Sequence, residues 1–219
     1  MSEEVVISVV VPIYNEAPNI LPLVDAVRGA LANERWELLL VDDGSTDGTT
    51  ELAEEVARVD HHVRCLRLAR NYGQTAAMEA GFDHARGEIV VSMDGDLQND
   101  PRDILRLVET LNQGHDLVTG YRLKRKDKAV TRRFPSWVAN GLIRRITGVM
   151  IRDTGCSLRA YRSAVLRRMV IYSDMHRFIP AIAAATSGAR IAEIPVAHHP
   201  RRYGSSKYGL SRTWRVLLD

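Results

Sequence analysis

The stretch VVISVVVPIYNE (residues 5–16) decides the fold class of this chain. Its first seven residues are apolar except for one serine and mostly β-branched, which predicts a strand buried on both faces. Pro12 ends that strand, and residues 17–32 then carry apolar side chains at helical spacing. A buried strand followed directly by a helix is typical of the units that build a parallel sheet.

The same alternation continues along the chain and predicts the remaining elements. We predict strands at residues 36–41, 63–68, 89–93, 116–120 and 191–196, and helices at 49–59, 75–85, 101–111 and 163–187. Residues 153–162 are predicted as a strand or a turn. The pattern indicates an α/β fold of one domain, residues 1–219, with a Rossmann-like, mostly parallel central sheet flanked by helices.

Polar turns follow four of the predicted strands. They are residues 12–16, 42–45, 70–73 and 94–98, and three of the four contain carboxylates. The carboxyl ends of parallel strands meet at one edge of a sheet, which is where such sheets bind ligands. We therefore expect these four turns to form one site.

The formal net charge of +3 is the sum of two parts with opposite sign. Residues 1–121 carry 22 acids and 9 bases, a net charge of −13, whereas residues 122–219 carry 5 acids and 21 bases, a net charge of +16. The first part is suited to hold a cation. The basic C-terminal part is suited to meet an anion, for which phosphate, nucleic acid and an anionic membrane surface are the candidates.

The composition excludes several classes of protein. With 45% hydrophobic and 26% charged residues, the chain is typical of neither a disordered protein nor a coiled coil. No apolar run approaches the roughly 18–20 residues that cross a bilayer, and the start MSEEVV lacks the positive charge of a signal peptide. We therefore expect a cytoplasmic protein, with Cys65 and Cys156 as reduced thiols.

Asp94-Gly95-Asp96 is the sharpest chemical signal in the sequence. Two carboxylates one residue apart, just past a buried strand, can share Mg²⁺ or Mn²⁺, and such ions keep ligand positions for water and substrate phosphates. Gln98 is a further candidate oxygen ligand, and Gly95 would leave room for a diphosphate. Taken alone, so short a motif is more often an acidic turn before a helix.

Asp42 and Asp43 end another buried strand at the same predicted edge of the sheet. Within VDDGSTDGT (residues 41–49) they indicate first a turn and a helix cap, with Asp47 as the capping residue. Two desolvated acids nevertheless need partners, which would be hydrogen-bond donors on a base or a ribose, or the charge of a metal ion.

Several motifs together resemble the inverting glycosyltransferases of family 2, which have the GT-A fold. Those that carry the resemblance are VVPIYNE (10–16), VDDGSTDGT (41–49), ARNYGQTAAMEAGFDHARGE (69–88) and SMDGDLQNDP (92–101). Three further motifs narrow the resemblance to one branch, that of dolichyl-phosphate mannose synthase and its bacterial relatives that glycosylate undecaprenyl phosphate. These motifs are GYR (120–122), RDTGCSLRAYR (152–162) and HHPRRYGSSKYGLS (198–211).

The resemblance implies a role for each matching position. The nucleoside-diphosphate sugar donor would be bound by Pro12, Tyr14, Glu16, Asp42, Asp43, Gln74 and Asp94, and the Mg²⁺ or Mn²⁺ on its diphosphate by Asp94, Asp96 and Gln98. The acceptor phosphate would face Arg122 and Arg132, with Asp153 and Ser157 in the adjoining loop. The catalytic electrostatics would come from Asp96 and from two phosphate clamps on a closing loop, Arg201 and Lys207.

The reaction implied by the resemblance is transfer of a hexose from GDP-mannose or UDP-glucose to a polyprenyl phosphate, such as dolichyl or undecaprenyl phosphate. A phosphate acceptor needs no strong general base, because its second pKa is about 6. One alternative is transfer to a sugar hydroxyl, which needs a carboxylate base; residues 122–219 offer Asp127, Asp153, Asp174, Glu193 and Asp219. A nucleotidyltransferase is another alternative.

A polyprenyl acceptor would also place the protein at a membrane. Residues 122–145 contain nine Lys and Arg, and a short helix predicted at 210–218 has Leu and Trp on one face. Both features predict peripheral docking on an anionic surface at the cytoplasmic side. Nucleic acid is not an expected partner, because residues 122–145 lack an interleaved platform of aromatic side chains.

Overall fold

The computed structural model describes residues 4–122, 151–169 and 175–202 of the chain. Within these ranges the strands are β1 (Ile7–Ile13), β2 (Trp36–Asp42), β3 (Val63–Arg67), β4 (Ile89–Ser92), β5 (Leu117–Arg122), β6 (Arg159–Arg162) and β7 (Ile191–Val196). The α-helices are α1 (Ala17–Ala30), α2 (Thr49–Val59), α3 (Gln74–His84), α4 (Asp103–Asn112), α5 (Ser163–Leu166) and α6 (Ile179–Ser187), and a 3₁₀ helix spans Met175–Phe178.

The strands form one mostly parallel sheet in the order β3-β2-β1-β4-β6-β5-β7. β6 runs antiparallel to both of its neighbours, and the other pairs are parallel. The carboxyl ends of β1 to β5 therefore lie along one edge of the sheet, together with the beginning of β6. We call this edge the carboxyl edge.

The sheet is covered by helices, as the apolar strands predict. β1 and β2 are buried along almost their whole length, because hydrophobic side chains from α1, α2 and α4 pack with them in one core cluster and those of α3 and α6 in a second. The α/β fold class and the parallel sheet expected from the sequence are confirmed. No helix in the described ranges combines the length and the apolar character needed to span a bilayer.

The continuous helix predicted at residues 163–187 is wrong. α5 ends at Leu166, and a separate helix, α6, begins at Ile179 after the 3₁₀ helix. Pro180 lies in the first turn of α6, where its fixed φ angle favours the start of a helix and its missing amide costs no hydrogen bond. The apolar periodicity was therefore real, but it belonged to two helices rather than one.

Candidate active site

Asp42 supports the turn after β2 from inside the protein. Its side chain is fully buried. It accepts hydrogen bonds from the backbone amide of Ser45 at 3.1 Å and from the hydroxyl groups of Ser45 and Thr50. These contacts fix the turn that presents the next residue, Asp43.

Asp43 links the end of β2 to the turn after β3. Its two carboxylate oxygens accept hydrogen bonds from the amides of Tyr72, at 2.7 Å, and Gly73, at 2.8 Å. This contact requires Gly44, because its φ of +74° is left-handed and a Cβ there would lie 2.6 Å from the backbone of Arg70. Burial raises the pKa of Asp43 above its usual value, and the two amides act in the opposite direction.

The turn after β1 is joined to the turn after β2 by hydrogen bonds. The amide of Asn15 donates to the Ser45 hydroxyl, and the amide of Glu16 donates to the Thr49 hydroxyl, both at 2.8 Å. Pro12 is half-buried at the end of β1, and Tyr14 is 36% exposed beyond it. The sequence-predicted donor residues of β1 and β2 thus meet at the carboxyl edge.

Asp94 and Asp96 follow β4 at the same edge. Asp94 accepts a hydrogen bond of 2.8 Å from the side-chain amide of Gln74, so the predicted Gln74 lies beside it. Asp96 is 6% exposed. A Cβ on Gly95 would lie 3.0 Å from the side chain of Ile13, so close packing on β1 favours a glycine at this position.

The backbone of this edge carries conformational strain. Asn15 and Leu97 have φ angles of +51° and +61°, and they are the non-glycine residues with positive φ among the described residues. Both follow a strand of the carboxyl edge. Such strain is costly and tends to occur at functional sites, which favours a ligand site here.

Arg201 brings positive charge to the two acids of β1 and β4. Its guanidinium donates to Asp96 at 2.7 Å and to Glu16 at 3.5 Å. Burial and the charge of Asp94 nevertheless raise the pKa of Asp96 to about 6, although the Gln98 amide and Arg201 act in the opposite direction. Burial therefore makes the ionised form of Asp96 costly here, and further positive charge would stabilise it.

The acids of β4 fit a hard divalent cation by their chemistry. Carboxylate oxygens are ligands that Mg²⁺ and Mn²⁺ accept, and such ions usually take further oxygens from water and phosphates. One group of three candidate metal ligands occurs within the described ranges, Asp60-His61-His62, whose ligand atoms lie within 4.8 Å of one another. That turn lies at the opposite edge of the sheet, and Asp60 is paired there with Arg28. A cation at Asp94 and Asp96 would thus need ligands from the donor.

The segment that carries Arg201 is fastened to the loop after β4. The amide of His199 donates to the Gln98 carbonyl at 2.8 Å, and the side-chain amide of Gln98 donates back to the His199 carbonyl at 3.3 Å. The amide of Ala197 donates to Asp103 at 2.7 Å. His199 also contacts Asp100, whose pKa is held well below its usual range chiefly by the Arg102 side chain.

The predicted acceptor residues form a second group, on β5 and the loop before β6. The Arg122 guanidinium donates to both carboxylate oxygens of Asp153, at 2.7 and 2.9 Å. The Ser157 hydroxyl donates to the side chain of Asn99 at 3.0 Å, which joins this loop to the loop after β4. The donor and acceptor residues predicted from sequence therefore belong to adjoining loops.

Some predicted features lie outside the described residues. These are Arg132, Lys207, the basic stretch after residue 122, the predicted helix at 210–218, and the candidate bases Asp127, Asp174 and Asp219. The structure also reveals contacts that the motifs do not show, although Asn99, Asp100 and His199 lie within them. Asn99, Asp100, Asp103 and His199 join segments that are 58 to 101 positions apart, so no local pattern identifies the residues that they meet.

Known proteins resemble this chain along most of its length. The family model described as glycosyl transferase family 2 matches residues 8–173. A dodecaprenyl-phosphate galacturonate synthase from Rhizobium johnstonii is 51% identical over 218 residues, which are 97% of this chain and 64% of the relative. An undecaprenyl-phosphate 4-deoxy-4-formamido-L-arabinose transferase from Edwardsiella ictaluri is 43% identical, over 97% of this chain and 66% of the relative.

A solved structure confirms the fold. Glucosyl-3-phosphoglycerate synthase from Mycobacterium tuberculosis, in complex with Mn²⁺, UDP and phosphoglyceric acid, superposes with a TM-score of 0.70. The match covers 91% of this chain and 72% of that one at 19% identity. At this identity the likeness concerns the fold alone, which is the GT-A fold expected from the motifs.

Proposed function

Because the chain belongs to glycosyl transferase family 2, we propose that it transfers a sugar, with inversion at the anomeric carbon, from a nucleoside-diphosphate donor to a polyprenyl monophosphate. The two relatives named above support the acceptor class, since each is named for a polyprenyl phosphate. The chain spans 64% and 66% of their lengths, so their activity is carried over here as a proposal.

The observation that carries the proposal is the group of acids around Arg201. Asp96 and Glu16 share that guanidinium, and Asp94 lies two residues away with its carboxylate held by Gln74. Closely spaced acids that are partly or fully buried can hold a divalent cation and, through it, a diphosphate. This arrangement supports a site for the donor at the carboxyl edge.

The proposed reaction makes one bond and breaks one. An oxygen of the acceptor phosphate bonds to the anomeric carbon, the bond from that carbon to the donor diphosphate breaks, and a nucleoside diphosphate leaves. The acceptor is already ionised near neutral pH, with a second pKa of about 6, so no general base is required. The protein's task is to bring two anions together in the correct orientation and to offset their charge.

The described residues divide that task. Arg122 would bind the acceptor phosphate with its planar fork, and Asp153 fixes the orientation of that fork. Arg201 would turn from Asp96 toward the donor diphosphate and stabilise it as it leaves. Lys207 and Arg132, outside the described residues, would add positive charge on the donor and acceptor sides.

Asp94 and Asp96 would hold Mg²⁺ or Mn²⁺. When bound, such an ion offsets the charge that develops on the diphosphate leaving group. Gln98 would join them through its amide oxygen, because its side-chain amide nitrogen donates to His199. Asp43 and Tyr14 would line the nucleoside pocket, with Pro12 beneath them and Asp42 as internal support.

Transfer to a sugar hydroxyl fits the described residues less well. That reaction needs a carboxylate to accept the hydroxyl proton. The Arg122 guanidinium contacts both oxygens of Asp153, and a carboxylate oxygen of Glu193 accepts the amide of Arg152 at 2.9 Å. Among the described carboxylates of residues 122–219, neither is therefore well placed to act as a base.

The function is tested by incubating the chain with Mn²⁺, undecaprenyl or dolichyl phosphate, and GDP-mannose, UDP-glucose or UDP-galacturonate labelled in the sugar. We expect the label to enter the lipid extract with one of these donors, and the nucleoside diphosphate to be released in equal amount. Label transferred to an added saccharide but not to the lipid would contradict the polyprenyl acceptor. Release of pyrophosphate would identify a nucleotidyltransferase.

A membrane surface is the proposed partner on the acceptor side. The nine Lys and Arg of residues 122–145 would each contribute about 1 kcal/mol near an anionic bilayer. We therefore expect binding to vesicles that contain phosphatidylserine, weaker binding in added salt, and little binding to phosphatidylcholine vesicles. Equal binding to both vesicle types in sedimentation assays would exclude electrostatic docking without affecting the transferase proposal.

A further inference from the structure

Arg159 is a buried cation that the mechanism above does not use. It is the first residue of β6 and is 2% exposed. Within the described part of the chain, its guanidinium donates to three carbonyl oxygens and forms no ion pair, and its Nε has no hydrogen-bond partner. Burying a charge in this way is costly, so this position needs an explanation.

The three carbonyls belong to two separate segments of the carboxyl edge. One is that of Thr154, at 2.7 Å, in the loop that carries Asp153. The other two are those of His176, at 2.7 Å, and Arg177, at 3.5 Å, in the 3₁₀ helix. A planar guanidinium can reach acceptors on two sides at once, which a lysine ammonium on a single flexible stem cannot do in the same geometry.

Each of these segments leads to one part of the proposed site. Thr154 follows Asp153, whose carboxylate holds Arg122. The ring of His176, itself 8% exposed, lies 2.8 Å from the Thr75 hydroxyl. The residue before Thr75 is Gln74, which donates to Asp94. Side-chain contacts and neighbouring residues of the chain therefore connect the acceptor arginine, through Arg159, to the donor acid.

We propose that Arg159 is a positioning residue that sets the acceptor loop, and with it Arg122, at a fixed place relative to the donor acids. The proposal rests on the proposed function, since it assigns Arg122 to the acceptor phosphate. Arg159 touches neither substrate; it acts by holding the carbonyl of Thr154 against those of the 3₁₀ helix. Loss of the guanidinium frees the loop and misplaces Arg122.

Arg162 provides a matched control on the same strand. It is the last residue of β6 and also bonds through its guanidinium, to the side chain of Asn112 at 2.7 Å and to the carbonyl of Leu111 at 3.4 Å. It lies opposite Ile89, the first residue of β4, whereas Arg159 lies opposite Ser92, the last. Arg162 thus belongs to the other edge of the sheet.

Hydrogen exchange tests the positioning without any need for activity. In Arg159→Met we expect the amides of Gly155 and Cys156, which donate to Asp153, to exchange about tenfold faster. Amides of β1 should keep their wild-type rates, and Arg162→Met should leave the Asp153 loop unchanged. Unchanged exchange at Gly155 and Cys156 in Arg159→Met would overturn the proposal.

Kinetics test whether the position matters for the reaction. In Arg159→Met the acceptor KM should rise about tenfold and the donor KM by less than twofold. The acceptor KM of Arg159→Lys should lie between those of the wild type and Arg159→Met. If Arg159→Met fails to fold, Arg159→Lys replaces it: lysine keeps the buried charge but cannot reach both segments, and the same split is expected at a smaller size. A fall in kcat with both KM values unchanged would overturn the proposal.

The two proposals can fail separately. If the wild-type chain transfers no sugar to a polyprenyl phosphate, the proposed function is wrong, and the exchange rates alone decide whether Arg159 positions the loop. If the wild-type chain is active and Arg159→Met keeps its acceptor KM, the proposed function stands and the role of Arg159 does not.

Discussion

The carboxylates in the turns after β1 and β2, called here the β1–β2 side, are stabilised differently from those of β5 to β7. An ion pair of β2 and β3, Glu37 with Arg64, lies at the other edge of the sheet. In the turns after β1 and β2, the described residues supply backbone amides and hydroxyl groups: Asp42 accepts from Ser45 and Thr50, Asp43 from Tyr72 and Gly73, and Asp47 from Ala17 and Thr49. On the β5–β7 side, guanidinium groups meet the carboxylates: Asp153 pairs with Arg122, Glu193 with Arg152, and Asp116 with Arg190.

This difference has a consequence for ligands. Neutral donors fix the position of a carboxylate but leave its charge in place, so the β1–β2 side, with Asp94 and Asp96 next to it, stays negative and favours a cation. Ion pairs cancel charge and at the same time orient the arginine, so the β5–β7 side presents Arg122 already held for an anion. Arg201 is the described residue that brings positive charge to the acids of the first side.

Asp96→Asn tests the negative side and should change the turnover rate more than any other substitution considered. It removes negative charge from the buried group while keeping the shape of the side chain. We expect a loss of about 1000-fold or more in turnover, because a metal on the leaving group contributes several kcal/mol. Calorimetric titration should show that Mn²⁺ no longer strengthens nucleotide binding, and EDTA should abolish the activity of the wild-type chain.

Asp116→Asn is the control for that substitution, since Asp116 lies at the other edge of the sheet and pairs with Arg190. It should keep near wild-type turnover. Circular dichroism should show that both variants are folded. Near wild-type turnover of Asp96→Asn in Mg²⁺ would mean that the negative side does not hold the cation.

Arg122→Lys tests the other side with a smaller expected effect. Lysine keeps the positive charge next to Asp153 but loses the two-pronged contact, whereas alanine would also remove the charge that this buried carboxylate faces. We expect the acceptor KM to rise about tenfold, equal to about 1.4 kcal/mol, with unchanged nucleotide affinity.

The exposed pair on the same side supplies the control for Arg122. Arg152→Lys changes an arginine whose side chain is 71% exposed, and its kinetic constants should stay within twofold of wild type. A loss of nucleotide affinity in Arg122→Lys as large as its loss of acceptor affinity would place Arg122 on the donor side and break the comparison.

Much of the fold and of the donor side could be predicted from sequence because the signals are local. β1 and β2 are continuous apolar runs, and parallel strands bring their carboxyl ends together wherever the chain folds this way. The motif of Asp94 and Asp96 therefore met the turns after β1 and β2 as expected. The family assignment followed from the same local motifs.

The remaining contacts depend on residues far apart in sequence. Arg201 meets Asp96 across 105 positions, and Thr75 meets His176 across 101. Arg159 was missed for a different reason: arginine is rarely buried, and its place in the motif of residues 152–162 does not show that its side chain is buried. The interruption between α5 and α6 was missed because apolar spacing does not show where one helix ends.

Asp47→Ala and Asp116→Ala should have the smallest effects, and these are effects on stability. The pair compares a carboxylate held by neutral donors with a carboxylate held by an arginine. Asp47 accepts hydrogen bonds from Thr49 and from the amide of Ala17. Asp116 accepts hydrogen bonds from the amide and the guanidinium of Arg190, at 2.8 and 3.2 Å. Because both carboxylates lie near the surface, each substitution should lower the free energy of unfolding at neutral pH by about 1 kcal/mol or less.

Acid should remove both effects on stability, and salt should reduce one of them. Partial burial acts to raise the pKa of Asp47, but the hydrogen bonds from Thr49 and Ala17 outweigh it and leave the pKa lowered. The Arg190 amide is the main cause of the lowered pKa of Asp116. A lowered pKa gives stability that is present above the usual carboxyl pKa and lost as pH falls through the folded value, so each variant should approach wild type in acid.

Salt distinguishes the two residues, because it screens the charge of Arg190 but leaves hydrogen bonds from neutral amide and hydroxyl groups nearly unchanged. In urea unfolding at neutral pH, 0.5 M NaCl should therefore shrink the effect of Asp116→Ala and leave that of Asp47→Ala in place. If salt reduces both effects equally, charge rather than neutral donors stabilises the β1–β2 side as well, and the contrast between the two sides of the sheet is lost.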